Sequence, residues 1–82
     1  MNYAVVYTKQ AQTELLGFPD KIQRQLATKI SRLQHGFTGD IKKLQATDNV
    51  YRLRSGDFRI LFEVEGSTVV IRTIRDRKEA YE

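Results

Sequence analysis

Apolar and polar side chains alternate most clearly from Val50 to Val64, which reads Val50-Tyr51-Arg52-Leu53-Arg54-Ser55-Gly56-Asp57-Phe58-Arg59-Ile60-Leu61-Phe62-Glu63-Val64. Residues two apart share a face of a strand, so Tyr51 and Leu53 point one way and Arg52 and Arg54 the other. On the following strand Phe58, Ile60, Phe62 and Val64 take the covered side, which leaves Arg59, Leu61 and Glu63 opposite. The pattern predicts strands near 50–55, 58–65 and 68–75. Ser55-Gly56-Asp57 and Glu65-Gly66-Ser67 join them and are short enough for hairpins.

The first half changes period. Asn2 to Thr8 is rich in β-forming residues, and Thr8 is placed to cap a helix over Lys9 to Leu16. Gly17-Phe18-Pro19 breaks that helix, and Pro19 suits the first turn of the next. From Asp20 to His35, Ile22, Leu26, Ile30 and Leu33 recur at spacings of three and four, with Lys21, Arg24, Lys29 and Arg32 elsewhere on the wheel. Gly36 and Gly39 end this amphipathic helix, and a loop leads to Ile41-Lys42-Lys43-Leu44. The expected fold is α+β in the order β-α-α-β-β-β, a helical hairpin across a small, mostly antiparallel sheet with one open face.

Composition narrows the possibilities. A chain of 82 residues is expected to form a single domain, 1–82, with one modest core. It has no cysteine, so packing alone must hold it together. No apolar run reaches the roughly 18 residues of a membrane span, and the N-terminus lacks the pattern of a signal peptide. The expectation is a soluble, cytoplasmic protein with no membrane partner. A net charge of +4 favours an anionic partner without requiring one.

Placement of the charge is more informative. On an open sheet face Arg52, Arg54 and Arg59 would converge across a hairpin, and guanidiniums side by side repel unless an anion lies among them. Phosphate suits the arginine fork, which matches its oxygens bidentately. The alternative is that these arginines are solvated and paired with Asp57 and Glu63. The tail, Ile74-Arg75-Asp76-Arg77-Lys78-Glu79-Ala80-Tyr81-Glu82, is expected at the sheet's edge. Its Tyr81 offers either a ring for stacking on an unpaired base or a hydrophobic clamp over the sheet.

His35 is the sole histidine and is explained by a helix C-terminus. One histidine and no cysteine exclude ribonuclease chemistry that uses two histidines, and equally a soft-ligand zinc site. Asp57, Glu63 and Asp76 show no spacing that demands magnesium. No cofactor is expected.

The hairpin Tyr51 to Val64, with Lys42-Lys43-Leu44 before it and Arg77-Lys78-Glu79-Ala80-Tyr81 after it, resembles the RelE/ParE toxin superfamily, specifically its RelE-like side. The resemblance covers nearly the whole chain. It implies a toxin of a type II toxin–antitoxin pair that enters the ribosomal A site and cuts messenger RNA there. By matching position the catalytic residues would be Arg52, Arg54, Arg59, Arg77 and Tyr81, with Lys42, Lys43, Arg75 and Lys78 contacting RNA. The implied partners are a cognate antitoxin, through which the complex would bind operator DNA, and the ribosome with its messenger and 16S rRNA.

Two departures from the family bear on mechanism. Several relatives carry lysines where this chain has Arg52 and Arg54, and many have Gly-His where it has Arg75-Asp76. Arginine is effectively always charged, so the general base is left open. The ParE branch, associated with inhibition of DNA gyrase, is the alternative on the same fold.

Overall fold

A computed structural model describes residues 2–45 and 47–76. The N-terminal strand β1, Ala4–Tyr7, leads into helix α1, Lys9–Leu16. Thr8 caps that helix as expected, its Oγ1 accepting from the Ala11 N–H at 3.1 Å. The second helix, α2, spans Asp20–Ser31 and tightens into a 3-10 turn over Arg32–His35. Pro19 is the N-cap of α2 and not a residue of its first turn, its extended ψ of 152° setting the chain's entry into the helix. Gly36 stops the 3-10 turn at φ 129°, a left-handed conformation that a Cβ would strain.

Ile41–Lys43, which the expected order β-α-α-β-β-β leaves without an element, forms a further strand, β2. It is followed by β3 (Val50–Ser55), β4 (Phe58–Glu65) and β5 (Thr68–Asp76). The order is therefore β-α-α-β-β-β-β, and the α+β class holds. Three residues of mixed pattern carry too little periodicity to announce a strand, but the β3 ladder recruits them. The strand expected near 68–75 runs one residue further as β5, so Ile74, Arg75 and Asp76, with which the tail was also read to begin, are its last three residues.

The five strands form one sheet in the order β1-β5-β4-β3-β2. Only β1 and β5 are parallel; the other three pairings are antiparallel. Residues opposite one another across neighbouring strands lie on the same face, so register defines two surfaces. One surface carries the rows Ile41, Leu53, Ile60, Ile74 and Tyr51, Phe62, Ile71. These meet Ala11 of α1, Leu26 and Ile30 of α2, and Leu33 of the 3-10 turn in the buried core.

Aromatic rings fasten the edges of this core. Tyr51 stacks on Phe62 with centroids 5.5 Å apart, and Phe37 bridges both to Tyr3. Between the helices, Phe18 meets Phe58 edge-on at 5.1 Å and ties the helical turn to the start of β4. Burial also raises the pKa of Tyr7 above its ordinary 10.0.

The β4–β5 ladder contains one irregularity with large consequences. Leu61 pairs with Thr73 and Phe62 with Ile71, so Arg72 is an extra residue on β5, a β-bulge. Before the bulge the core-facing residues are Val69 and Ile71; after it the core-facing residue is Ile74. Strict alternation from Val69 would have turned Thr73 and Arg75 into the core. The bulge turns them outward.

Candidate nucleic-acid interface

The open face of the sheet is built from the same ladder. Arg54 of β3 lies directly opposite Arg59 of β4, and Arg59 lies directly opposite Arg75 of β5. Three adjacent strands thus present one row of three arginines. Like charges in opposing positions destabilise a sheet, by a few tenths of a kcal/mol or more per pair. A fold tolerates such a row at the cost of some stability, and an anion bound across it would remove the repulsion.

The next row is Lys42, Arg52, Leu61 and Thr73. Lys42 is exposed and Arg52 half-buried, so the cationic surface continues along the edge of the sheet. In this row the Arg52 Nε and the Thr73 Oγ1 are both buried, and neither has a hydrogen-bond partner among the described residues. Polar atoms in that state cost free energy unless something bonds them. Both flank Leu61, one row from the three arginines.

Carboxylates occupy defined places around this surface. Glu63 holds Arg72, the bulge residue, at 3.2 Å. Glu14 on α1 holds Arg75 Nε at 3.4 Å, and its other oxygen accepts from the Ile74 N–H at 2.9 Å. Beyond Ile71, β5 has outrun its partner β1, and its outer backbone groups need other partners. Thr8 supplies one by donating its hydroxyl to the Arg72 carbonyl at 3.1 Å, and Glu14 supplies the next. Helix α1 thus replaces the missing strand and orients Arg75 from the same carboxylate. Neither Glu14 nor Arg72 was predicted from the sequence. Their roles depend on strand length and a bulge, which leave no local signature.

The structure brings Arg52, Arg54, Arg59, Arg75 and Lys42 onto one face. Lys43 does not join them, because its register partner is Tyr51 on the covered side. Arg75 stands in the arginine row itself, a more central place than the RNA contact that the family resemblance implies for it. The expected site residues Arg77, Lys78 and Tyr81 lie outside the described residues. Among the described residues no helix is long and apolar enough to cross a membrane.

This fold and its cationic sheet face define a toxin of the type II toxin–antitoxin class. Residues 5–81 match the model of the ParE toxin of type II toxin–antitoxin systems, parDE, and the chain belongs to that family, within the RelE/ParE superfamily. More particularly it is RelE-like: it is 31% identical to Toxin RelE3 of Methanocaldococcus jannaschii over 95% of this chain and 94% of that protein. Among solved structures it is similar to the toxin in a RelB–RelE antitoxin–toxin complex from Methanococcus jannaschii, with 30% identity and a TM-score of 0.78 over 93% of this chain and 94% of that one. It is likewise similar to a chain of the archaeal RelE–RelB complex from Pyrococcus horikoshii OT3, with 26% identity and a TM-score of 0.80 over 94% and 97% of the two chains.

Proposed function

We propose that this toxin is an endoribonuclease that cuts messenger RNA in the ribosomal A site and so arrests translation. The observation that carries the proposal is the row Arg54, Arg59, Arg75, three fixed positive charges on one open face. RNA contains its own nucleophile. Its 2′-oxygen attacks the adjacent phosphorus in line as the bond from phosphorus to the 5′-oxygen breaks, leaving a 2′,3′-cyclic phosphate. The 2′-hydroxyl gives up its proton and the departing 5′-oxygen takes one.

This reaction asks the protein for geometry and charge. Holding the nucleotide in line is worth up to about 7 to 11 kcal/mol in favourable systems, and stabilising developing charge about 3 to 4 kcal/mol per donor. Arg59 and Arg77 are assigned to the phosphate oxygens, with Arg77 assisting the leaving oxygen. Arg52 and Arg54 hold the backbone, Tyr81 stacks on or orients a base, and Lys42, Arg75 and Lys78 contact the strand. No metal is required by this scheme. Because arginine does not serve as a base, the ribosome completes the site by fixing the messenger in its reactive conformation.

The partner in this reading is a cognate antitoxin, through which the complex binds operator DNA. The RelE relatives described above were solved with RelB antitoxins. Val6 and Leu16, the exposed large apolar side chains among the described residues, together with a shallow groove lined by Tyr7, Gln12, Leu15 and Leu16, offer anchors for an antitoxin segment.

Purified toxin tests the proposal on one messenger, naked and ribosome-bound. Cleavage is expected only on the ribosome, with cuts mapping to the A-site codon; equal rates on both substrates contradict it. A second reading, inhibition of DNA gyrase, is favoured by the family model, which is that of the ParE toxin. Growth arrest with intact messenger and accumulating double-strand DNA breaks would establish it instead.

A further inference from the structure

Where β3 runs past the end of β2, the loop that follows the 3-10 turn borders a small, mostly enclosed recess of about 100 Å³. Lys29, Arg32 and Arg54 line it together with one acid, Asp40, against the core residues Leu33 and Leu53. The Arg54 N–H donates to the Asp40 carbonyl at 2.9 Å, which fixes the backbone of the acid beside that arginine. None of the four charged side chains forms an ion pair among the described residues. The backbone N–H groups of Thr38, Gly39 and Asp40, in the same wall, are likewise without a hydrogen-bond partner there. The lining thus carries three positive charges against one negative, with free donors around a volume closed on most sides.

We infer that this recess is a binding site for inorganic phosphate, taken up as the hydrogen phosphate dianion. At ~30 Å³ for each water the volume equals that of about three waters, which suits one tetrahedral oxyanion without ester substituents. Guanidinium, ammonium and backbone N–H groups are the donors such an anion takes, and the surplus of positive charge matches a dianion. Asp40 supplies the selectivity. Hydrogen phosphate retains one proton, and its hydroxyl donates to the carboxylate in a charge-assisted hydrogen bond. Sulfate has the same shape and charge but no proton, and a phosphodiester has a single charge and no proton. Towards either one the Asp40 carboxylate is only repulsive. The recess therefore discriminates against an RNA backbone, although Arg54 also stands in the arginine row. The site is independent of the proposed action on RNA.

Calorimetric titration of the full chain with inorganic phosphate, sulfate and dimethyl phosphate, each at the same ionic strength, tests the assignment. Phosphate should bind at one site per chain, about tenfold or more tightly than the other two, as one charge-assisted hydrogen bond provides. Arg32→Gln should weaken phosphate binding by about tenfold or more for the same reason. Lys29→Gln supplies the same comparison if Arg32→Gln melts at a lower temperature than the wild type. Arg24→Gln, which removes an exposed cation of the same helix outside the recess, should bind phosphate as the wild type does. Asp40→Asn should bind sulfate about as tightly as phosphate, since an amide donates to an unprotonated oxygen. That is a gain of binding, which damage to the fold does not produce.

Equal affinity of the wild type for phosphate and sulfate, or a preference that survives Asp40→Asn, overturns the inference. Equal weakening in Arg24→Gln and Arg32→Gln would reduce the binding to attraction by net charge, and also overturns it. Phosphate binding lost in Arg59→Gln but kept in Arg32→Gln would put the anion on the arginine row instead. Dimethyl phosphate bound as tightly as phosphate, and lost in Arg32→Gln, would replace the free anion with a phosphodiester backbone. No nucleic acid enters the titration, so its result is distinct from the fate of the nuclease reading.

Discussion

Glu14 and Arg75 are joined across the boundary between α1 and the end of β5, at 3.4 Å, while the same carboxylate accepts the Ile74 N–H. The two functions are separable. Glu14→Gln keeps an acceptor for Ile74 but loses the ion pair, which is worth about 0 to 1 kcal/mol for so exposed an arginine. Glu14→Ala also strands a part-buried N–H, at about 1 to 3 kcal/mol. Chemical denaturation should therefore rank the wild type close to Glu14→Gln and both above Glu14→Ala. RNA affinity should fall in both variants, because both release Arg75.

The bulge at Arg72 can be tested by substitution and by deletion. Arg72→Ala keeps the extra residue and loses only the exposed bridge to Glu63, a change of about 0 to 1 kcal/mol. Deleting Arg72 places Thr73 directly after Ile71 in an unbroken ladder, in which Ile74 stays on the core face and Arg75 on the open one. The deletion variant should therefore still fold with the arginine row intact, losing in addition only the Thr8 bond to the Arg72 carbonyl, about 0.5 to 1.5 kcal/mol. Global unfolding of the deletion variant, measured by chemical denaturation, would show that the bulge does more than set the face of the residues after it.

Removal of charge from the reacting face should act on the rate and spare the fold. Arg59→Ala and Arg77→Ala are each expected to lower single-turnover cleavage on the ribosome by about tens-fold or more, since each withdraws a donor from the developing charge. Relieving the repulsion between Arg59 and its two arginine neighbours offsets the loss of the contacts Arg59 makes, so the melting temperature of Arg59→Ala should stay within about 5 °C of the wild type. A large loss of stability in that variant would assign Arg59 a structural role.

Tyr7 supplies a dependence on alkaline pH. Burial raises its folded-state pKa above 10.0, so below pH 10 the phenol is neutral in both states and its contribution is complete. As pH rises past 10 the unfolded chain ionises first and binds fewer protons than the native one, and stability falls until the folded pKa is passed. Tyr7→Phe should remove this component. Denaturation midpoints measured from pH 9 upward should decline less steeply in the variant.

The periodicities of the chain determined most of the fold. Ile22, Leu26, Ile30 and Leu33 announced α2 and its buried stripe, and the alternation from Val50 to Val64 placed Leu53, Ile60 and Phe62 inside with Arg52, Arg54 and Arg59 outside. These are local consequences of 3.6- and 2-residue repeats, which each segment carries in itself. Turn residues at Gly56 and Gly66 likewise fixed the hairpins, each at a positive φ that glycine adopts freely.

Tertiary structure alone decided the rest of the cationic face. Whether Arg75 points out or in depends on the count of residues between Ile71 and Ile74 measured against β4, and so on a ladder between distant segments. Lys43 was excluded by the parity of its pairing with Tyr51, in a strand too short to show a period. Glu14 reached the site because β5 outruns β1 and leaves backbone groups that a helix must satisfy. Sequence spacing specifies which way a side chain points within its own strand; only pairing between strands specifies which side chains stand together.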